Sequence, residues 1–292
     1  QKDFDLPAIP VTHLSCPHFW RYGEQGETET EFTARLLKEL EDTILAEGPE
    51  TIAAFIGEPV MGAGGVMTPP EGYWPGVVEI CHKYDILVVS DEVINGFGRT
   101  GARFGCEKYG FTPDILVTSK QLTSSYMPLA AIVVNDKVYN AIADNTAKLG
   151  NFGHGFTGTG HPVACAVGLE NLNIIEERDL MGNAKRLEPL FQDGLRAFAD
   201  HPLIGEIRGV GLIAGLEMAD KKTKQPFGKP GTVAAKVVAL AAEEGLICRN
   251  VYDTVALCPP LIVTEDDVRE IHARLGRALD HALEWAKSEG ML

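Results

Sequence analysis

The sequence is poor in several things, and each shortage removes a class of function. It has 26 lysines and arginines against 41 aspartates and glutamates, a formal charge of −15, and no basic cluster. A chain with that balance is badly suited to phosphate backbones or anionic lipid, so nucleic acid and membrane surfaces are set aside as partners. The six cysteines (Cys16, Cys81, Cys106, Cys165, Cys248, Cys258) are scattered, with no C-x-x-C pair. In 292 residues that pattern predicts buried free thiols in a reducing compartment, with the cytoplasm as the default, and no disulfide framework. No apolar run approaches the length of a membrane span, and no secretory signal is visible. Internal repeats and low-complexity segments are also missing. What is left is a soluble-protein composition, 45% hydrophobic and 23% charged, whose partners are expected to be small molecules and other copies of itself.

The chain opens at Gln1 with "QKDFDLPAIPVTHLSCPHFWRYGEQGE", rich in proline, aromatics and turn residues. That stretch reads as the interior of a domain, and a fragment is the expectation. Periodicity organises the rest. "TETEFTARLLKELEDTILAEG" places Phe32, Leu36, Leu37, Leu40 and Ile44 on one helical face, with Thr28 or Thr30 as cap. "TIAAFIGEPV", "ILVVSDEV", "PDILVTSK" and "LAAIVVND" are continuous apolar runs separated by helical or loop segments. They predict a mostly parallel sheet covered on both faces by helices, an α/β fold. Beyond residue 180 the pattern changes. "LIGEIRGVGLIAGLEMAD" alternates around Gly209 and Gly211 as an antiparallel hairpin would, and Thr264 caps a final amphipathic helix. The expected division is a large α/β domain over residues 1–180 and a small α+β domain over 181–292.

Gly96, Gly98 and Gly101 spell G-x-G-x-x-G after a strand, the shape of a dinucleotide fingerprint. In that fold the helix begins inside the motif and the glycines form the first turn after the strand. Here the strand ends in the charged pair Asp91-Glu92 several residues earlier, and "ARFGCEKYGFTPD" is no amphipathic helix. Both tests fail, so the glycines are read as a sharply folded loop carrying Arg99.

Asp91 then becomes the residue of interest. It ends a buried strand, where α/β sheets bind ligands, although a strand-end aspartate also serves as an ordinary cap. Lys120 ends the next strand, and alone it would be read as a solvated charge. Both would project from one sheet edge into one crevice. A lysine can form a Schiff base, and a carboxylate can keep a pyridine nitrogen protonated so that the ring withdraws electrons. Together they describe a pyridoxal phosphate site.

Four stretches in order, "EPVMGAGGVMTPPEGYW", "SDEVINGFGRTG", "PDILVTSKQLTSSYMPLAA" and "GHGFTGTGHPVACAVGLENL", closely resemble the class III (omega) aminotransferases of the pyridoxal phosphate enzymes of fold type I. The resemblance runs from "CPHFWRYG" to "CPPLIVTEDDV". It implies that Lys120 carries the cofactor and moves the substrate proton, that Asp91 pairs with the pyridinium nitrogen, and that Val93 packs on a ring face. It implies further that Thr157 binds the cofactor phosphate of a neighbouring subunit, so that a homodimer shares its sites, and that Arg249 binds a substrate carboxylate. Without the resemblance Arg249 would read as a surface arginine after a strand. Glu58 is expected at the cofactor's edge. His154 and His161 lack companions at ligand spacing and are read as loop and helix-start residues, with no metal.

Two departures qualify the expectation. Relatives acting on ornithine or 4-aminobutyrate tend to carry "EPVQGEGG", whereas Met61 and Ala63 stand here. The absence of a carboxylate at 63 fits the amine:pyruvate branch, with transfer between an amine or omega-amino compound and a keto acid, pyruvate first. The family chain also has a substantial N-terminal portion, with a phosphate-binding turn, before the point where this one begins. The competing readings are a decarboxylase or aminomutase of the same fold, a fragment inactive on its own, and, most distant, a nicotinamide oxidoreductase.

Overall fold

The computed structural model describes residues 9–292; the start of the expected large domain, 1–8, lies outside the described residues. A single helical turn, α1 (Phe19–Tyr22), precedes α2 (Glu29–Glu47). Thr28 caps α2 reciprocally: its hydroxyl accepts from the Glu31 N–H at 3.3 Å, and the Glu31 carboxylate accepts from the Thr28 N–H at 2.8 Å. This capping box satisfies two of the donors that a helix start leaves open. The predicted face is the buried one, with Phe32, Leu36, Leu40 and Ile44 all in the core.

The first sheet follows: β1 (Ala54–Gly57), α3 (Tyr73–Lys83), β2 (Leu87–Asp91), the short α4 (Gly105–Lys108), β3 (Ile115–Thr118) and β4 (Ala131–Val134). Its order is β1-β2-β3-β4, with β1, β2 and β3 parallel. The core beneath it joins α2 to α3 and β2 through Phe32, Trp74, Val77, Cys81 and Val88. Trp74 lies flat on Phe111, ring centroids 4.5 Å apart and planes within 7°.

The expected mostly parallel sheet is present, with one strand reversed and one face partly open. β4 runs antiparallel to β3, because the connection from Ser119 to Ala130 holds only a 3-10 turn and bends, with no helix to carry the chain back across the sheet. Nor does the described chain cover both faces: Ile56, Ile132 and Val133 are 64%, 68% and 59% exposed. The apolar runs were read as strands buried on two sides, and they supply only the apolar residues, with no guarantee of a cover.

The long α5 (Asp136–Leu149) starts at an Asn135 cap, buries none of its residues and leads into an exposed loop, 150–161. Then α6 (Pro162–Glu177) and α7 (Leu180–Arg196) lead to a second four-stranded sheet. β5 (Ile204–Val210) and β6 (Ile213–Met218) form the predicted hairpin, and β8 (Thr254–Leu257) and β7 (Arg249–Val251) complete the order β5-β6-β8-β7, antiparallel throughout. Between β6 and β7 lies α8 (Thr232–Glu243), and α9 (Glu265–Ser288) closes the chain behind the Thr264 cap. All of β6 is buried, packed with Leu187, Phe191 and Leu195 of α7, Val237 of α8 and Leu275 and Leu279 of α9. None of the six cysteines is bonded to another, and Cys165 and Cys258 are exposed, contrary to the expectation of buried thiols.

Candidate active site

The parallel register brings the predicted residues to one edge. Gly57 is paired with Ser90 and Asp91 with Val117, so Glu58, Asp91 and Lys120 leave neighbouring strands at their C-terminal ends. That edge is where α/β sheets bind ligands. Their charges feel one another. Burial pushes the Glu58 carboxyl above the usual glutamate range, the backbone N–H of Gly62 pulls it back, the Asp91 charge raises it further and the Lys120 ammonium lowers it. The Glu58 Oε2 accepts that Gly62 N–H at 2.9 Å.

Asp91 is half-buried, and its Oδ1 accepts from the Val93 N–H at 3.0 Å. That bond orients the carboxylate and leaves Oδ2 for a ligand. Lys120 is exposed and opens the 3-10 turn Lys120–Leu122 with φ at +35°. A left-handed backbone at a lysine costs of order 1–3 kcal/mol and is characteristic of functional turns. Val93 is half-buried, two residues beyond Asp91.

Two predicted residues stand apart from these. Thr157 is exposed in the loop 150–161, between Phe156 and Gly158. Arg249 is exposed at the start of β7, paired in register with Ala256 on the second sheet. His154 stacks on Phe152 and meets Phe156 edge-on, and His161 occupies the cap position of α6.

The glycine fingerprint is a loop. Phe97, Gly98 and Gly101 all have positive φ, and no helix begins within it. It carries Arg99, as expected, and the structure adds where that side chain goes. Arg99 is buried, and its Nη1 donates to the carbonyls of Leu212 at 2.8 Å and Pro259 at 2.5 Å. The Leu212 N–H donates in turn to the Arg99 carbonyl. Gly211 is required at that contact, since a Cβ there would stand 2.4 Å from the Arg99 oxygen. The loop after Asp91 is thereby tied to the β5–β6 turn.

Sequence reasoning passed over the two buried charges that hold the site's frame. Glu92 is 1% exposed and accepts from the N–H groups of Gly105 and Cys106, both at 2.7 Å, and from the Ser90 hydroxyl at 3.2 Å. Burial raises its pKa and those donors offset part of the rise. Arg208 is buried in β5, in register with Gly215, and donates to Glu206 on its own strand and diagonally to Glu217 across the hairpin. The signal that could have exposed it is a cation placed where a strand must be buried, which demands a partner.

The residues fit a pyridoxal cofactor. A carboxylate with one oxygen free stands at one strand end, an amine stands at the next, and a second carboxylate lies in reach of both charges. This is the arrangement of a pyridoxal phosphate enzyme of fold type I, built on a mostly parallel sheet with helices. Comparison with known proteins agrees. Residues 3–279 match the family described as aminotransferase class-III. A chloroplastic gamma aminobutyrate transaminase 3 of Solanum lycopersicum is 50% identical over 279 residues, covering 95% of this chain and 54% of its own length. A vanillin aminotransferase of Capsicum chinense is 47% identical, covering 95% of this chain and 61% of the relative. Among solved structures, the omega transaminase from Pseudomonas jessenii in complex with PMP has a TM-score of 0.96 at 54% identity, covering 98% of this chain and 64% of that one.

The chain belongs to the class-III aminotransferases, enzymes that use pyridoxal 5′-phosphate. It spans about half the length of the curated relatives it matches, 54% in the first case. Among the described residues no helix is long and apolar enough to cross a membrane.

Proposed function

We propose that this chain is the part of a transaminase that carries the cofactor lysine, moving an amino group between a primary amine or omega-amino compound and a keto acid, with pyruvate as acceptor. The observation that supports it most strongly is the convergence of Glu58, Asp91 and Lys120 on adjacent strand ends. When bound, pyridoxal phosphate supplies an electron sink for the charge left on the substrate carbon. The protein's part is positioning and proton handling. Lys120 Nζ would hold the cofactor and would serve as the base for the proton of the substrate's α-carbon. Asp91 Oδ2 would accept from the ring nitrogen's N–H and so favour its protonated form, the carboxylate's orientation held by the Val93 N–H on Oδ1. Val93 and Glu58 would help to hold the ring. Arg249 engages the carboxylate of the keto acid and leaves room for a carboxylate-free amine. The two substrates use one site in turn, so ping-pong kinetics are expected.

Several further assignments belong to the same reading. Thr157 binds the phosphate of a second copy, making a homodimer with shared sites; its exposure in a loop where a Cβ added at Gly153, Gly155, Gly158 or Gly160 would meet no atom within 4 Å is consistent with that role. The chain divides into a large cofactor domain, 1–180, and a small domain, 181–292. Its compartment is the cytoplasm, although relatives include proteins named as chloroplastic and mitochondrial.

The test is borohydride reduction of the cofactor-loaded protein followed by peptide mapping, with turnover measured in parallel. The cofactor mass is expected on Lys120. Lys120→Ala should abolish both the visible absorbance and turnover, and Asp91→Asn should cost several orders of magnitude in rate. Substantial transamination by Lys120→Ala would sink the assignment. Carbon dioxide release, or turnover without any keto acid, would move it to a decarboxylase or aminomutase.

A further inference from the structure

The loop from Glu58 to Met67 begins at the candidate site and ends in a strained turn. Met61 and Met67 bridge its two arms by a pair of backbone hydrogen bonds, each 3.0 Å. At its tip Gly65 has φ +119° and Val66 has φ +56°. A β-branched residue in the left-handed region persists only where its surroundings over-determine it. Here the surroundings are the apolar cluster of Val60, Val210 and Ile213 around the buried Val66, the Gly62 carbonyl that accepts from the Gly65 and Val66 N–H groups at 3.2 Å each, and one cation. Arg208 Nε donates to the carbonyls of Gly65 and Val66, both at 3.1 Å, and its Nη2 donates to Gly65 at 2.6 Å.

The same guanidinium reaches the opposite way. Nη2 also donates to Glu217 Oε2 at 2.8 Å and to the Thr254 hydroxyl at 2.9 Å, while Nη1 donates to Glu206 at 2.7 Å. Thr254 donates to Glu217 at 2.8 Å and begins β8, where it pairs with Val251 of β7, the strand that opens with Arg249. There is no slack at this joint. A Cβ on Gly65 would come within 3.0 Å of the Thr254 hydroxyl, and one on Gly215 within 3.0 Å of the Gly65 carbonyl. Two residues of the chain's opening segment close the network: His18 Nε2 stands 2.7 Å from Glu206, and Arg21 pairs with Glu217.

We infer that Arg208 is a positioning residue that sets the gap between the Glu58–Met67 loop and the strand bearing Arg249, and so tunes selectivity for substrates that carry a carboxylate. The inference rests on the proposed role of Arg249. The hydrogen bonds of Arg208 go to groups of the protein itself. It clamps a strained loop to the hairpin that presents Arg249, so loosening it blurs the distance between the reacting end and the carboxylate end of a keto acid. A carboxylate-free amine, which does not use Arg249, is indifferent to that distance.

The experiment compares Arg208→Lys, Thr254→Val and Arg249→Ala in the cofactor-loaded full chain, with pyruvate and 1-phenylethylamine as substrates and calorimetric binding of benzoate as a readout apart from turnover. Lysine cannot reproduce the fork of the guanidinium. Arg208→Lys should raise the KM for pyruvate and the Kd for benzoate about tenfold, leaving kcat and the KM for the amine within about twofold. Thr254→Val, which keeps the volume and deletes one hydroxyl, should move the same two quantities a few fold, and it carries the test should Arg208→Lys fail to fold. Equal changes in both KM values, or none, overturn the inference while a normal loss of pyruvate affinity in Arg249→Ala leaves the proposed function standing. If Arg249→Ala leaves pyruvate and benzoate binding intact, the carboxylate role of Arg249 falls and the inference falls with it.

Discussion

The two sheets have the same number of strands and opposite situations. In the second, every residue of β6 is buried and the helices α7, α8 and α9 close over the sheet with Phe191, Val237 and Leu279. In the first, β2 is half covered, while β1 and β4 leave Ile56, Ile132 and Val133 largely open. The neighbouring α5 and loop 150–161 add Tyr139, Leu149, Phe152 and Phe156 to the exposed apolar surface. Large apolar side chains left open in that number are unusual for one region of a lone chain and fit a surface that is covered. The second sheet is thus enclosed by its own helices, and the first carries the candidate site at strand ends on a body that its own described residues do not enclose.

Replacing a buried side chain on each side should break the comparison most forcefully if it is wrong. Phe191→Ala in the second region is expected to cost about 3–5 kcal/mol in urea unfolding. The tie between the regions comes next. Arg99→Met removes the donor to two buried carbonyls, those of Leu212 and Pro259, and should cost about 2–3 kcal/mol, with the loop after Asp91 gaining amide exchange. An unchanged exchange rate there would mean that the regions are held together without it.

Carboxylates sharpen the contrast through pH. Burial raises the pKa of Glu58, so its contribution is fullest below the ordinary glutamate range and is lost as pH rises through its folded value. Glu217 is also pushed up by burial, but Arg208, Thr254 and Arg21 together hold it below the usual range. Its contribution is present above the ordinary value and lost as pH falls through the folded one. Stability measured against pH should therefore rise less steeply in Glu217→Gln on leaving acid, whereas Glu58→Gln should remove a decline that sets in as pH rises above the ordinary glutamate range. Parallel effects of the two substitutions would refute the assignment. The smallest effect belongs to the open face: Ile132→Ala should change the stability of the dilute chain by no more than about 0.5 kcal/mol. A cost that grows with protein concentration would show that another copy covers that face.

Much of this was legible before any fold was known. The Thr264 cap, the apolar face of α2 and the β5–β6 hairpin follow from local residue pattern and are where the residues placed them, and of the two candidate caps of α2, Thr28 and Thr30, the structure uses Thr28. Asp91 and Lys120 could be assigned to one edge because a parallel strand order sends successive C-terminal ends the same way. The direction of β4 was not legible, since an apolar run is the same read against a parallel or an antiparallel neighbour. Arg208 was hidden for a related reason: its partners lie at Gly65, Glu217 and Thr254, and no local pattern links them.

By itself the sequence determined most of the element types, the candidate residues at the strand ends and the family, because these depend on spacing along the chain. Tertiary structure alone decided which apolar strands are covered, where Arg99 is buried and how the Glu58–Met67 loop is clamped to the strand bearing Arg249. Those depend on which distant segments meet, and the energy of a buried charge or an open apolar face is set by the neighbour it finds.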